Sequence, residues 1–403
     1  MRTFAVSACL VSAMCTGMAV AQAPVAYVYV AEDLSPANTA SPITAYAASA
    51  DGKLIPLKSS PFTQTSGFMA GTNGSHFITV DQDSNTTHQY LHVYNVSSNG
   101  VIGEEVSKQD LHEWCSMDEA AEFDHTGQFV YVLEPQSCGG GYVSFSLSKS
   151  GELTFKGSLT EPNQPFFTLP TFSGNDKFAY NFVPGPDSQA PCPTETFLGM
   201  GRESSGALQN ISFSATDPTP PSGGYQVVQD GFVTDDSTNH LASLMDFQDG
   251  QCGQSGPYIS NRLASYTIQS NGDLVSTNKW EDMPQLATSI NGGVSAFNRL
   301  MLMNPAGNIL AVSVGTGVQF FHFNGANPIT PFTGVIGTAN HINNMAWDDN
   351  NHLYALDYFS GELHVYTATA TSVVEAAGSP YTPPNVCSSQ FGCAQNLIVR
   401  RIP

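Results

Sequence analysis

One unit recurs along the whole chain, and a repeat of this kind settles the fold class before any single residue is weighed. Each copy has a turn rich in Asp, Asn and Gly, then a strand of β-branched and aromatic residues. A variable loop, a second strand, an Asn-Gly or Asp-Gly turn and a last strand follow. The plainest copy runs Asp124-His-Thr-Gly-Gln-Phe-Val-Tyr-Val-Leu133, Tyr142-Val-Ser-Phe-Ser-Leu147, Ser150-Gly151 and Leu153-Thr-Phe155. Its strands alternate with the two-residue period of a sheet, and its turns hold residues that tolerate positive φ. Equivalent copies begin at Asn73, Gly174, Thr238, Pro305 and Asn350.

Six copies leave a fragment at each end. Tyr27-Val-Tyr-Val30, Ile43-Thr-Ala-Tyr46 and Leu54-Ile55 lack the strand that should precede them, and Asn396-Leu-Ile-Val399 is a strand to spare. Pairing the two fragments predicts an all-β, seven-bladed β-propeller, closed by N- and C-terminal strands within one blade. Such a ring leaves no sheet edge open to aggregation. Residues 22–403 then form a single domain. The Asn-Gly turns and the lack of a 3.6-residue period exclude a helical solenoid. A β-helix would repeat at a far shorter interval, and an eighth blade would require splitting residues 223–304.

The segment before the first strand reads as an export signal. Arg2 supplies the positive start, an apolar run extends from Phe4 to Val20, and Ala19-Val20-Ala21 fits the small-x-small cleavage rule. Residues 1–21 are therefore expected to be removed, leaving a secreted or periplasmic protein that begins at Gln22. No later stretch is long and apolar enough to span a bilayer, so membrane insertion is not expected. Loss of Arg2 takes the formal net charge from −21 to −22. That excludes nucleic acid and anionic membrane surfaces as partners, because both need a basic footprint. A small molecule, glycan or protein bound at the loop face is the expected ligand, and a monomer the expected state.

Six cysteines remain after the leader, and an even number in an exported chain suggests disulfides. All six fall in loops between blades or between second and third strands, which share one face of a propeller. Of the fifteen pairings, the repeat geometry favours Cys115–Cys138, Cys192–Cys252 and Cys387–Cys393. The same face carries acids: counted from the turn residue, Glu32, Asp81, Glu134 and Asp246 share one slot, with Asp357 one residue off. Such a ring could hold a divalent cation such as calcium, although no cofactor is required by anything else in the sequence. Equally, these carboxylates could satisfy loop amides.

Family likeness rests on Tyr27-Val-Tyr-Val30, Ser49-Ala-Asp-Gly-Lys-Leu54, Ser59-Ser-Pro-Phe62 and Gly378-Ser-Pro-Tyr381. These strings resemble the lactonase-family propellers of exported bacterial type, similar to 6-phosphogluconolactonase and the muconate-lactonizing cyclases. The resemblance covers all seven units. It implies a seven-bladed ring and a lactone hydrolase with a His, a Glu and two Arg around the central channel. The repeat-leading Pro-His pair of active members is replaced here by Gln164-Pro-Phe-Phe-Thr-Leu169. Only five arginines follow the leader, so the chemistry would have to be built from other groups.

Inner strands line a propeller's channel. Glu119 and Glu122 lie on that of the third blade, Arg299 on that of the sixth, and His341 just before that of the seventh. A Glu can activate water, a His can exchange protons and an Arg can hold an oxyanion or a carboxylate. Three readings follow: a lactone hydrolase, a non-catalytic binding propeller, and a metal-dependent enzyme using the acidic face. The remaining histidines, including His76, His240 and His352, read as strand-edge residues. Asn73, Asn85, Asn95 and Asn210 stand in glycosylation sequons.

Overall fold

The computed structural model describes residues 23–31, 42–63, 68–82, 89–111, 120–134, 140–160, 168–184, 195–222, 225–249, 259–288, 299–337, 341–384, 387–388, 392–393 and 396–402. Within them the chain forms seven small sheets arranged as the blades of a ring. Blades I to VII begin at the channel with strands Asn396–Arg401, Phe68–Thr72, Ala121–Phe123, Thr171–Phe172, Tyr225–Asp235, Met301–Met303 and Ile342–Trp347. Six blades are four-stranded. Blade V carries a fifth strand, Ala215–Thr216, paired in parallel with Leu274–Val275. Tyr225–Asp235, His240–Asp249, Ile259–Ile268 and Leu274–Val275 belong to that one sheet, so this stretch is not divided between two blades.

Ring closure follows the expected route. Asn396–Arg401 pairs antiparallel with Ala26–Ala31, from Ala26 opposite Arg401 to Ala31 opposite Asn396. Every side chain of Ala26–Ala31 is buried, because sheet faces lie against blades II and VII. Val28 and Val30 pack with Tyr354 and Leu356, whereas Tyr29 packs with Phe77 and Tyr94. The period-two alternation thus feeds two inter-blade cores at once.

A second device sets the spacing of blades. At six of the seven blade junctions the first core residue of a second strand meets the hairpin glycine of the next blade, as do Tyr27 with Gly100, His76 with Gly151, Phe129 with Gly206 and Phe178 with Gly272. His240 with Gly325 continues the series, and His352 with Gly52 closes it across the seam between blades VII and I. A Cβ on Gly206 would stand 2.1 Å from the Phe129 ring, and φ there is +95°. Glycine is required on both counts. His240 and His352 are held by the turn that precedes them, with Nδ1 3.0 Å from Asp236 and 2.8 Å from Asp348.

Candidate active site in the central channel

Blade III brings Glu122 to the channel on a three-residue inner strand. Arg299, just before the inner strand of blade VI, reaches across and its Nη2 donates to Glu122 Oε2. Both side chains are about one-third exposed, so the pair is open to the channel and not sealed in a core. A cavity of ≈ 760 Å³ lies around it, walled among others by Thr72, Thr171, Asn304 and Arg401. That volume suits a small organic ligand. Arg299, Arg400 and Arg401 all line this cavity, three of the five arginines in residues 22–403. The cavity thus gathers arginines beside the acids Glu122, Asp124 and Asp235, inside a strongly acidic chain. Arg401 is partly held by Asp349, 3.6 Å away, and stays half-exposed.

Below the pair, three blades meet at His125. Its Nδ1 lies 2.7 Å from Asp176 Oδ1 of blade IV, and its Nε2 lies 3.4 Å from Asp235 Oδ2 of blade V. The hydrogen bond to Asp176, then that to Asp235, pushes the imidazole pKa up to about 10 against the opposing effect of burial. His125 is therefore an imidazolium at neutral pH. Burial alone would raise the Asp176 carboxyl, but hydrogen bonds from the His125 ring and backbone N–H hold it below its usual value. Arg202 completes the knot, donating to Asp124 at 3.1 Å and to the Asp176 carbonyl at 2.6 Å. The turn spacing shows that Asp124-His125 opens a strand. It does not show that His125 would meet acids from two further blades.

Of the residues expected in the channel, Glu122 and Arg299 come together. His341 does not line this cavity; its ring packs against Tyr358 and Phe359 at centroid distances of 5.9 and 5.1 Å. Position immediately before an inner strand does not fix the direction of the side chain. Glu119 lies outside the described residues.

The carboxylate slot takes a different register from that counted along the sequence. Five residues on from the glycine-contacting positions Tyr27, His76, Phe129 and His352 stand Glu32, Asp81, Glu134 and Asp357. In blade V the same step from His240 reaches Met245, and Asp246 falls one place beyond, where the strand pairing is irregular between Met245 and Phe247. There Asp246 accepts the N–H of Asn261 at 2.6 Å, and Asn261 is left-handed at φ +60°. Asp357 accepts the N–H groups of Phe359 and Ser360 at 2.8 and 2.9 Å. Glu134 is buried, and desolvation raises its pKa to about 7. Glu32 and the Asp81 side chain lie outside what the structure describes. Among the described residues no group of three or more His, Cys, Asp or Glu is placed to hold a metal ion.

Cys387 and Cys393 stand opposite one another in the register of two short strands, Cys387–Ser388 and Gly392–Cys393. Cys115, Cys138, Cys192 and Cys252 lie outside the described residues. No described helix is long and apolar enough to cross a membrane.

No protein-family profile matches the chain, and no curated protein matches its sequence. Solved structures do resemble it over nearly its whole length. A candidate 6-phosphogluconolactonase from Bacteroides fragilis superposes with a TM-score of 0.57 at 11% identity, covering 93% of this chain and 98% of the other. A second, from Bacteroides uniformis, gives 0.56 at 14% identity over 93% and 99%. The periplasmic gluconolactonase of Pseudomonas aeruginosa gives 0.56 at 12% identity over 94% and 99%. At such identities the likeness carries the fold alone: a seven-bladed β-propeller of the kind found in lactonase-like proteins.

Proposed function

We propose that this chain is an exported lactone hydrolase acting in its central channel. The observation that carries the reading is the cross-channel pair of Glu122 and Arg299 in a small-molecule-sized, arginine-lined cavity. As water attacks the ester carbonyl, the Glu122 carboxylate takes its proton, and the Arg299 guanidinium holds the developing oxyanion. The ring C–O bond then breaks, the proton passes to the departing alkoxide, and one water has been consumed to give a hydroxy acid. The product carboxylate can pair with the channel arginines before it leaves. Export is supported by the leader pattern of residues 1–21.

One observation favours a second reading, binding without turnover. Glu122 is already engaged by Arg299, so the pair can act as a latch that an anionic ligand displaces. A panel of lactones, assayed with and without chelator, separates the two. Ring opening that chelator does not touch supports the hydrolase. No turnover on any lactone, together with a hydroxy-acid-induced rise in melting temperature, supports binding alone. Turnover abolished by chelator would move the chemistry to the acidic loop face.

A further inference from the structure

Four Asn-Gly pairs fall on described residues: Asn73-Gly74, Asn99-Gly100, Asn271-Gly272 and Asn324-Gly325. Each has the chemistry for spontaneous deamidation. The glycine amide nitrogen attacks the asparagine Cγ, the side-chain nitrogen departs as ammonia, and a succinimide forms. Water then opens that ring to aspartate or isoaspartate, so the sum is one water consumed and one ammonia released. Glycine permits the attack because it has no Cβ to crowd the nitrogen. The rate turns on whether the side-chain amide can rotate and whether the glycine N–H is free to react.

Three of the four pairs are tied down. Asn73 accepts the N–H groups of Ser75 and His76 at 3.1 and 2.9 Å and donates to the Gly127 carbonyl at 2.9 Å. Asn99 accepts the Ser97 hydroxyl at 2.5 Å, and the Gly100 N–H is spent on the Ser97 carbonyl at 3.0 Å. Asn271 donates to Asp273 at 2.7 Å, and the Gly272 N–H is spent on the Gln269 carbonyl at 2.9 Å. Asn324 differs. Its side chain is exposed, and among the described residues it accepts or donates no side-chain hydrogen bond, nor has the Gly325 N–H an acceptor. Only the Asn324 carbonyl is engaged, by Asn327.

We propose that Asn324 is a self-modifying site that converts to aspartate and isoaspartate ahead of the other three, and that the isoaspartate form loosens the junction of blades V and VI. Isoaspartate routes the main chain through the former side chain and lengthens it by one methylene. The next residues cannot absorb that freely. A Cβ on Gly325 would already stand 3.1 Å from the His240 ring, and the carbonyls of Ala326 and Asn327 accept the Ser265 hydroxyl at 3.2 and 2.9 Å. Those contacts tie the hairpin of blade VI to blade V. The test ages the whole protein in mildly alkaline buffer and follows each site by peptide-resolved mass spectrometry, with isoaspartyl methyltransferase labelling. Asn324 is expected to convert several-fold faster than Asn73, Asn99 or Asn271. Conversion at any of these three before Asn324 overturns the assignment. Aged protein is expected to melt below fresh protein, whereas fresh Asn324→Asp, which gains the charge without the longer backbone, melts with the parent. Aged Asn324→Ala should keep its melting temperature; an equal fall in that variant overturns the structural consequence.

Discussion

Tyr131 donates its buried hydroxyl to the carbonyl of Gly206 at 2.9 Å, joining the second strand of blade III to the outer hairpin of blade IV. The bond recurs between Tyr29 and Gly100 and between Tyr180 and Gly272, also at 2.9 Å. Each glycine packs under the aromatic residue two places before the tyrosine. One side chain therefore reads the height of the neighbouring blade and the other its lateral distance. Tyr131→Phe leaves the Gly206 carbonyl unmatched in the core and should cost about 1–2 kcal/mol. Gly206→Ala adds a Cβ into the Phe129 ring at a left-handed position and should cost about 3 kcal/mol or more. Denaturant unfolding checks both, and equal losses would show that the packing under Gly206 is not the tighter constraint.

The channel pair gives the catalytic prediction. Glu122→Gln keeps size and shape but removes the base, so lactone turnover should fall ~100-fold or more. Arg299→Ala removes the cation and should cost a similar factor. Because the two groups act on one transition state, the double variant should fall little below either single one. Turnover left intact by both single changes would remove these residues from the mechanism. Melting temperatures should change little throughout, since the pair is partly solvated and such ion pairs contribute on the order of 1 kcal/mol or less.

His125 gives the fold a dependence on alkaline pH. Its pKa of about 10 exceeds the ordinary value of about 6.5. A raised cationic group stabilises fully below the unfolded pKa, and that contribution is lost as pH rises through the folded one. His125→Gln should therefore melt below the parent by a constant margin in mild acid, and by a margin that shrinks from about pH 6.5 to about pH 10. What faces the imidazolium explains the direction: Asp176 and Asp235 accept its two N–H groups, with Asp124 and Arg202 paired beside them. A margin unchanged across that range would mean that the ring holds its partners equally well when neutral.

Ring, blade count and seam were legible because each depends on periodic features: alternation within strands, glycine at hairpins, and an unmatched strand at each end. The place of Glu122 was legible for the same reason, since it stands on an inner strand fixed by the turn spacing; Arg299 was expected on the inner strand of blade VI and stands just before it. What the chain could not show was which way a side chain leaves a non-strand residue. His341 precedes its strand and turns to Tyr358 and Phe359. His125 stands in an ordinary turn, and its partners come from two later blades, so no local signal marks it. The exchange of Asp246 for Asp357 in the carboxylate slot has a different cause. Pairing in blade V is regular from His240 to Met245 and breaks only at Asp246, which stands in that irregularity one place beyond the slot.

The seam between the termini supports the last prediction. Asn396–Arg401 covers the inner edge of Ala26–Ala31, a strand that is apolar throughout and fully buried. Removing residues 396–403 would uncover that edge and open the core shared by Val28, Val30, Ala346, Tyr354 and Leu397. An uncapped hydrophobic strand pairs with other chains. The truncated protein should lose cooperative unfolding and run as aggregates in size-exclusion chromatography. A milder change, Leu397→Ala at a position 2% exposed, should cost about 2–4 kcal/mol and leave the protein folded. Supplying a synthetic peptide of the closing strand to the truncated chain should restore part of the soluble pool. If the truncated chain instead unfolds as cooperatively as the parent, closure by strand pairing does not hold the ring.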